Sequence, residues 1–146
     1  MGFPRPESGL VIRYSYLRLS EHRQGRDEGV KDRPCVVVLR VLDRDGETQM
    51  LVVPVTHSEP DDPKLALELP AAVKRHLGLD AYRSWVVLSE SNLFAWPGPD
   101  LRGIGADNAI AYGLLPPRLF AELLRRYREL KTSSRSESVR IQDDIA

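Results

Sequence analysis

The segment RPCVVVLRVLDRDGETQMLVVPVTHS, residues 33–58, constrains the fold of this chain most. Two runs of mainly β-branched and aliphatic residues, Cys35–Leu42 and Thr48–Val55, flank Asp43-Arg44-Asp45-Gly46. Branched side chains suit the pleat of a strand, and glycine tolerates the positive φ that a tight reversal needs. The segment therefore predicts a β-hairpin. Val36–Leu39 is nearly continuously apolar, which predicts a central strand covered on both faces.

Short elements of the same kind surround it. GLVIRYSY (9–16) reads as a first strand, and the polar LRLSEHRQGRDEGVKD (17–32) as a long loop. After the turn-rich SEPDDP (58–63), KLALEL (64–69) alternates as a strand, and Pro70 opens a short helix that ends at Gly78. SWVVLSESNLF (84–94) is a further strand, closed by the breakers WPGPD, and residues 101–115 add one or two more. In RLFAELLRRYREL, Leu119, Phe120, Leu123, Leu124, Tyr127 and Leu130 form one helical stripe. Many short strands with a late helix predict a mainly β fold, a small barrel or sandwich. The expected organisation is one domain over residues 1–131 and a flexible tail over 132–146, where the pattern is lost.

Composition narrows the function classes. With 146 residues, 42% hydrophobic and 29% charged, the chain has ordinary globular composition. No apolar run approaches the roughly 18 residues that span a bilayer, and the opening MGFPRPESG lacks a signal-peptide core, so a cytoplasmic protein without membrane partners is expected. The single Cys35 excludes an internal disulfide and a cysteine-cluster zinc site. His22, His57 and His76 are dispersed, with no carboxylates at ligand spacing, so neither metal nor cofactor is expected. Net charge is zero, but residues 1–42 carry eight Lys/Arg against five Asp/Glu and residues 43–69 two against seven. That asymmetry fits either a basic face or surface scatter.

In this order, GLVIRYSY, GVKDRPCVVVL (29–39), MLVVPVTHS (50–58), WVVLSESN (85–92) and the helix after Pro116-Pro117 resemble the MazF/PemK toxins of toxin–antitoxin systems. The resemblance implies an SH3-like small barrel, with a short helix in an insert and a C-terminal helix, that forms a homodimer. It implies a metal-independent endoribonuclease acting on single-stranded RNA and silenced by a cognate antitoxin. The family's catalytic arginine and threonine fall on Arg33 and Thr56. Three features depart from the family: the long loop 17–32, the insert 64–79, and a strand end near Ser89–Asn92 without an acid-Gln pair.

The residue types suit that chemistry. Cutting RNA with the neighbouring 2′-hydroxyl leaves a 2′,3′-cyclic phosphate and a 5′-hydroxyl, and it needs a stabilised phosphorane charge and two proton transfers. Arginine pairs two phosphate oxygens with a planar fork; the plainer reading of Arg33 is an ion pair with Asp32 or Glu28. A threonine hydroxyl can direct a hydrogen bond to the reacting group, although Thr56 could simply cap the turn after its strand. His57 is a candidate proton carrier, but strict alternation points it away from Thr56 unless the strand end twists. Arg23, Arg26, Lys31, Ser58 and Trp96 are the RNA-binding candidates, with Tyr14, Tyr16 and Phe94 as further stacking or core aromatics. Cys35, on the buried strand, reads as core. The alternatives in another class are a non-catalytic binding module on the same barrel, such as a gyrase-type target binder, and a degenerate toxin.

Overall fold

The structure is a computed structural model that describes residues 7–16, 31–42, 45–96, 111–133 and 137–140. It is mainly β, with two helices, as the sequence predicts. The strands are β1 (Leu10–Tyr16), β2 (Lys31–Leu42), β3 (Thr48–Thr56), β4 (Ala66–Glu68), β5 (Trp85–Val87), β6 (Glu90–Ala95), β7 (Ala111–Leu114) and β8 (Glu137–Arg140). Helix α1 spans Ala71–Leu77, and α2 spans Pro117–Thr132. A 3-10 turn over Pro63–Leu65 leads into β4.

The hairpin is the spine of one small, barrel-like sheet. β2 lies between β1 and β3, all antiparallel, and β7 extends the sheet beyond β1. Gly46, in the reversal, has φ +78°, the conformation for which its Asp-Gly turn was read. The β2–β3 register shifts by one residue between Val37 and Leu39. A bulge of this kind bends a strand and raises its twist, which curves a small sheet around its core. β3 then changes partner along its length: Gln49–Val52 pair with β6, and Val55–Thr56 with β5.

Both faces of the hairpin are covered, as its apolar runs require. On one face Val11, Val36, Val53 and Val55 pack with Leu77, Leu123, Tyr127 and Leu130, which brings both helices to the sheet. The predicted stripe of α2 is the surface it buries, and Arg126 ties that helix to the carbonyls of Pro63 (2.7 Å) and Ala66 (3.0 Å). On the other face Ile12, Tyr14, Tyr16, Cys35, Val37, Met50, Val52 and Phe94 form a second cluster. Helix α1 ends as expected at Gly78, in the left-handed region, whose N–H bonds the carbonyl of Arg75. Against α1, Gly113 of β7 leaves so little room that a Cβ there would sit 3.2 Å from a Leu77 methyl. That close approach fixes α1 beside the end of the hairpin.

Three details differ from the sequence expectations, and one reading left open there is decided. Residues 84–94 form two strands, because the pairing to β3 slips by three residues between Val86 and Asn92 while the Leu88 N–H bonds Leu65 instead. The segment 132–146 contributes β8, which pairs in parallel with β6. Leu39 is exposed, since the bulge ends the doubly covered stretch at Val38. Tyr14, Tyr16 and Phe94 are buried, with the Tyr14 and Phe94 rings stacked 4.5 Å apart, so they are core and present no face to a base. No helix among the described residues is long and apolar enough to cross a membrane.

Candidate functional site

The antiparallel register of the hairpin brings two distant residues to one place. Cys35 faces Pro54 and Val36 faces Val53; continuing that register by two residues sets Arg33 opposite Thr56. Here the sheet ends in a cleft of about 530 Å³ between the start of β2, the end of β3 and the chain following α1. Arg33, Thr56, His57 and Ser58 all line it. Alternation does not carry His57 to the other side, because β3 stops at Thr56 and the chain bends there. The bend is closed by the Ser58 N–H, which donates to Thr56 Oγ1 at 3.2 Å. Thr56 thus does cap its turn, as acceptor, and its own hydroxyl hydrogen remains a donor.

Asp32 meets Arg13, whose Nη2 is 3.5 Å from Asp32 Oδ2. Arg13, Asp32 and Tyr112 are further walls of the cleft. Burial pushes the Tyr112 phenol above its ordinary value against the pull of Arg13, so it is a neutral hydroxyl at physiological pH. Cys35 lies behind this wall. Burial raises its thiol far above the usual range despite nearby Arg33, which makes it inert as a nucleophile.

Lys74, Asp80 and Ser84, which also line the cleft, escape the sequence reading. Asp80 Oδ2 lies 2.7 Å from His57 Nε2, and Asp80 Oδ1 accepts from Lys74 Nζ at 2.7 Å and from the Tyr82 N–H at 3.2 Å. Lys74 is 4% exposed; its ammonium also donates to Ser84 Oγ (2.7 Å) and to the Tyr82 carbonyl. Three donors thus meet three acceptors, the condition under which a buried lysine is tolerable. Although 45% of the Asp80 side chain is exposed, its Oδ1 edge faces the buried lysine. Burial works against its charge, but the hydrogen bonds from Lys74 and His57 outweigh it and hold the carboxyl below its ordinary value. Asp80 is therefore an ionised acceptor, so the hydrogen between it and the imidazole sits on His57 Nε2. One signal could have revealed Lys74: positions 70, 73, 74 and 77 share a helical face, and a lysine on that apolar stripe needs a partner.

The other sequence candidates do not gather here. Arg23 and Arg26 lie outside the described residues, and Lys31 is placed only by its backbone, opposite Tyr16. Trp96 packs on Phe94, and its backbone N–H donates to the carbonyl of Thr48. Thr48 and Thr56 are opposite ends of β3, roughly 26 Å apart in strand length. Trp96 is thus remote from the cleft. A second, shallow groove of about 640 Å³ along α2, beside Ala121, Leu124 and Arg128, contains none of the candidates. No group of three or more His, Cys, Asp or Glu side chains able to hold a metal occurs among the described residues.

No known protein family matches the chain, and no curated protein matches its sequence. Among solved structures, an endoribonuclease in complex with its cognate antitoxin from a Mycobacterial species aligns with TM-score 0.49 and 14% identity, over 88% of this chain and 96% of that one. So distant a similarity leaves the activity of this chain to be argued from its own residues.

Proposed function

We propose that the chain is a MazF/PemK-type toxin, a cytoplasmic endoribonuclease that cuts single-stranded RNA without a metal. The observation that supports this reading most is that Arg33, Thr56, His57 and Ser58, each selected by sequence, line one cleft. Arg33 would pair the non-bridging oxygens of the scissile phosphate and stabilise the charge that builds on it. The Thr56 hydroxyl donates to a phosphate oxygen, with its other side held by the Ser58 N–H. His57 moves the proton of the attacking 2′-hydroxyl. Lys31, Arg23 and Arg26 would contact flanking phosphates. A homodimer and a cognate antitoxin complete the proposal.

A binding-only barrel is the second reading, favoured by the charge of the cleft. Asp32 and Asp80 stand among Arg13, Arg33 and Lys74, which leaves a weak field for a polyanion. Incubation of the folded protein with single-stranded RNA in chelator separates the two. Products ending in 2′,3′-cyclic phosphate and 5′-hydroxyl are expected. RNA that is bound but left intact selects the binding module instead.

A further inference from the structure

The network behind the cleft is out of proportion to an ordinary surface contact. An exposed His–Asp pair adds little to stability, and a buried ammonium must recover a large desolvation penalty. As a way of stabilising the insert, Lys74 is a poor choice. As a way of fixing a carboxylate it is effective. Lys74 Nζ is saturated by Asp80, Ser84 and the Tyr82 carbonyl, so it has no freedom to turn. Together with the Tyr82 N–H it occupies Asp80 Oδ1 and leaves Oδ2 for His57. The ring of Tyr82 meets the imidazole edge-on at 5.7 Å between centroids, which limits its rotation further. Among the described residues His57 Nδ1 has no hydrogen-bond partner.

We infer that Asp80, held by Lys74, is the positioning residue that keeps His57 as its Nε2–H tautomer and leaves Nδ1 to take the 2′-hydroxyl proton, an inference that rests on the ribonuclease reading above. In that step Nδ1 takes the proton, the bond from the 2′-oxygen to phosphorus forms, and the bond from phosphorus to the 5′-oxygen breaks. The leaving 5′-oxygen takes a proton from water, and the imidazolium passes its own to the hydroxide left behind. Arg33 and Thr56 hold the phosphate throughout. The insert carrying α1 is thus part of the machinery, since it supplies Lys74 and leads directly into Asp80.

A double-mutant cycle with single-stranded RNA in chelator tests this, using wild type, Asp80→Asn, His57→Ala and the double variant. Asp80→Asn is expected to lower kcat at least about tenfold with KM changed less than about twofold. Added to His57→Ala it is expected to lower kcat no further, because Asp80 acts only through the ring. Nitrogen NMR of the His57 ring, at a pH where it is neutral, reads the tautomer directly. Protonated Nε2 is expected in wild type and a mixture in Asp80→Asn. Full kcat in Asp80→Asn, or an equal loss with and without His57, overturns the inference while the ribonuclease reading stands. A wild type that cleaves no RNA removes that reading and the role of Nδ1 with it. A wild-type ring protonated at Nδ1 overturns the positioning itself, and this spectrum decides the matter even if Asp80→Asn does not fold.

Discussion

The two ends of β3 have opposite chemistry. At the Thr48 end, Met50 pairs with Phe94, which stacks on Tyr14, and Trp96 closes over the ring. At the Thr56 end, the same strand runs into a cleft of arginine, histidine, aspartate and a buried lysine. The apolar end is assembled by neighbouring strands whose registers follow from alternation. The polar end is assembled by elements that meet only when α1 docks beside β7. Packing is therefore a local consequence of the sequence, whereas the site is a consequence of closure.

That contrast predicts separable effects. Phe94→Ala opens a cavity in the second core and is expected to lower stability by about 3–5 kcal/mol, read by denaturant unfolding. Cleavage per folded molecule should stay near wild type; loss of activity without loss of fold would break the division between the two ends. Lys74→Met is expected to cost about 2 kcal/mol, because it removes the ammonium that donates to Asp80, Ser84 and the carbonyl of Tyr82. It should depress cleavage as well, since it frees Asp80. A stable, fully active Lys74→Met would show that the insert is only packing. Trp96→Ala should change KM for RNA by less than about twofold, for Trp96 lies at the far end of the strand. A larger effect would extend the RNA surface along all of β3.

The smallest effect concerns acid. The Asp80 carboxyl in the folded chain lies below its ordinary value of 3.8, so its contribution to stability is present above that pH. It is lost as pH falls through the depressed value, where the folded state must take up a proton. The stability difference between wild type and Asp80→Asn should shrink as pH falls below about 4. A difference that persists undiminished well below that pH would place the partner charges elsewhere.

Much of the fold was legible because its signals are short-range. The branched runs on either side of Gly46, the helix ending at Gly78 and the stripe Leu119–Leu130 each depend on neighbouring residues alone. Strand breaks were less legible, as the slip between β5 and β6 depends on which partner Leu88 finds. Whether the aromatics stack on bases or fill the core stays open in the sequence for a related reason. Alternation places Tyr14 and Tyr16 on one face, but only the docked β6 shows that this face is covered. Arg33 and Thr56 could be named from motif order, and the hairpin register then explains their meeting. Asp80 could not, because its partners, His57 and Lys74, are joined to it by the turn after α1 and not by any spacing along the chain.

The measurement that bears most directly on the cleft as a ribonuclease centre is cleavage of single-stranded RNA in chelator by wild type, Arg33→Ala and Thr56→Ala, with melting midpoints recorded beside the rates. Wild type should give 2′,3′-cyclic phosphate ends, Arg33→Ala should fall on the order of a hundredfold and Thr56→Ala about tenfold, with all three folded. Undiminished cleavage by a folded Arg33→Ala would contradict the account.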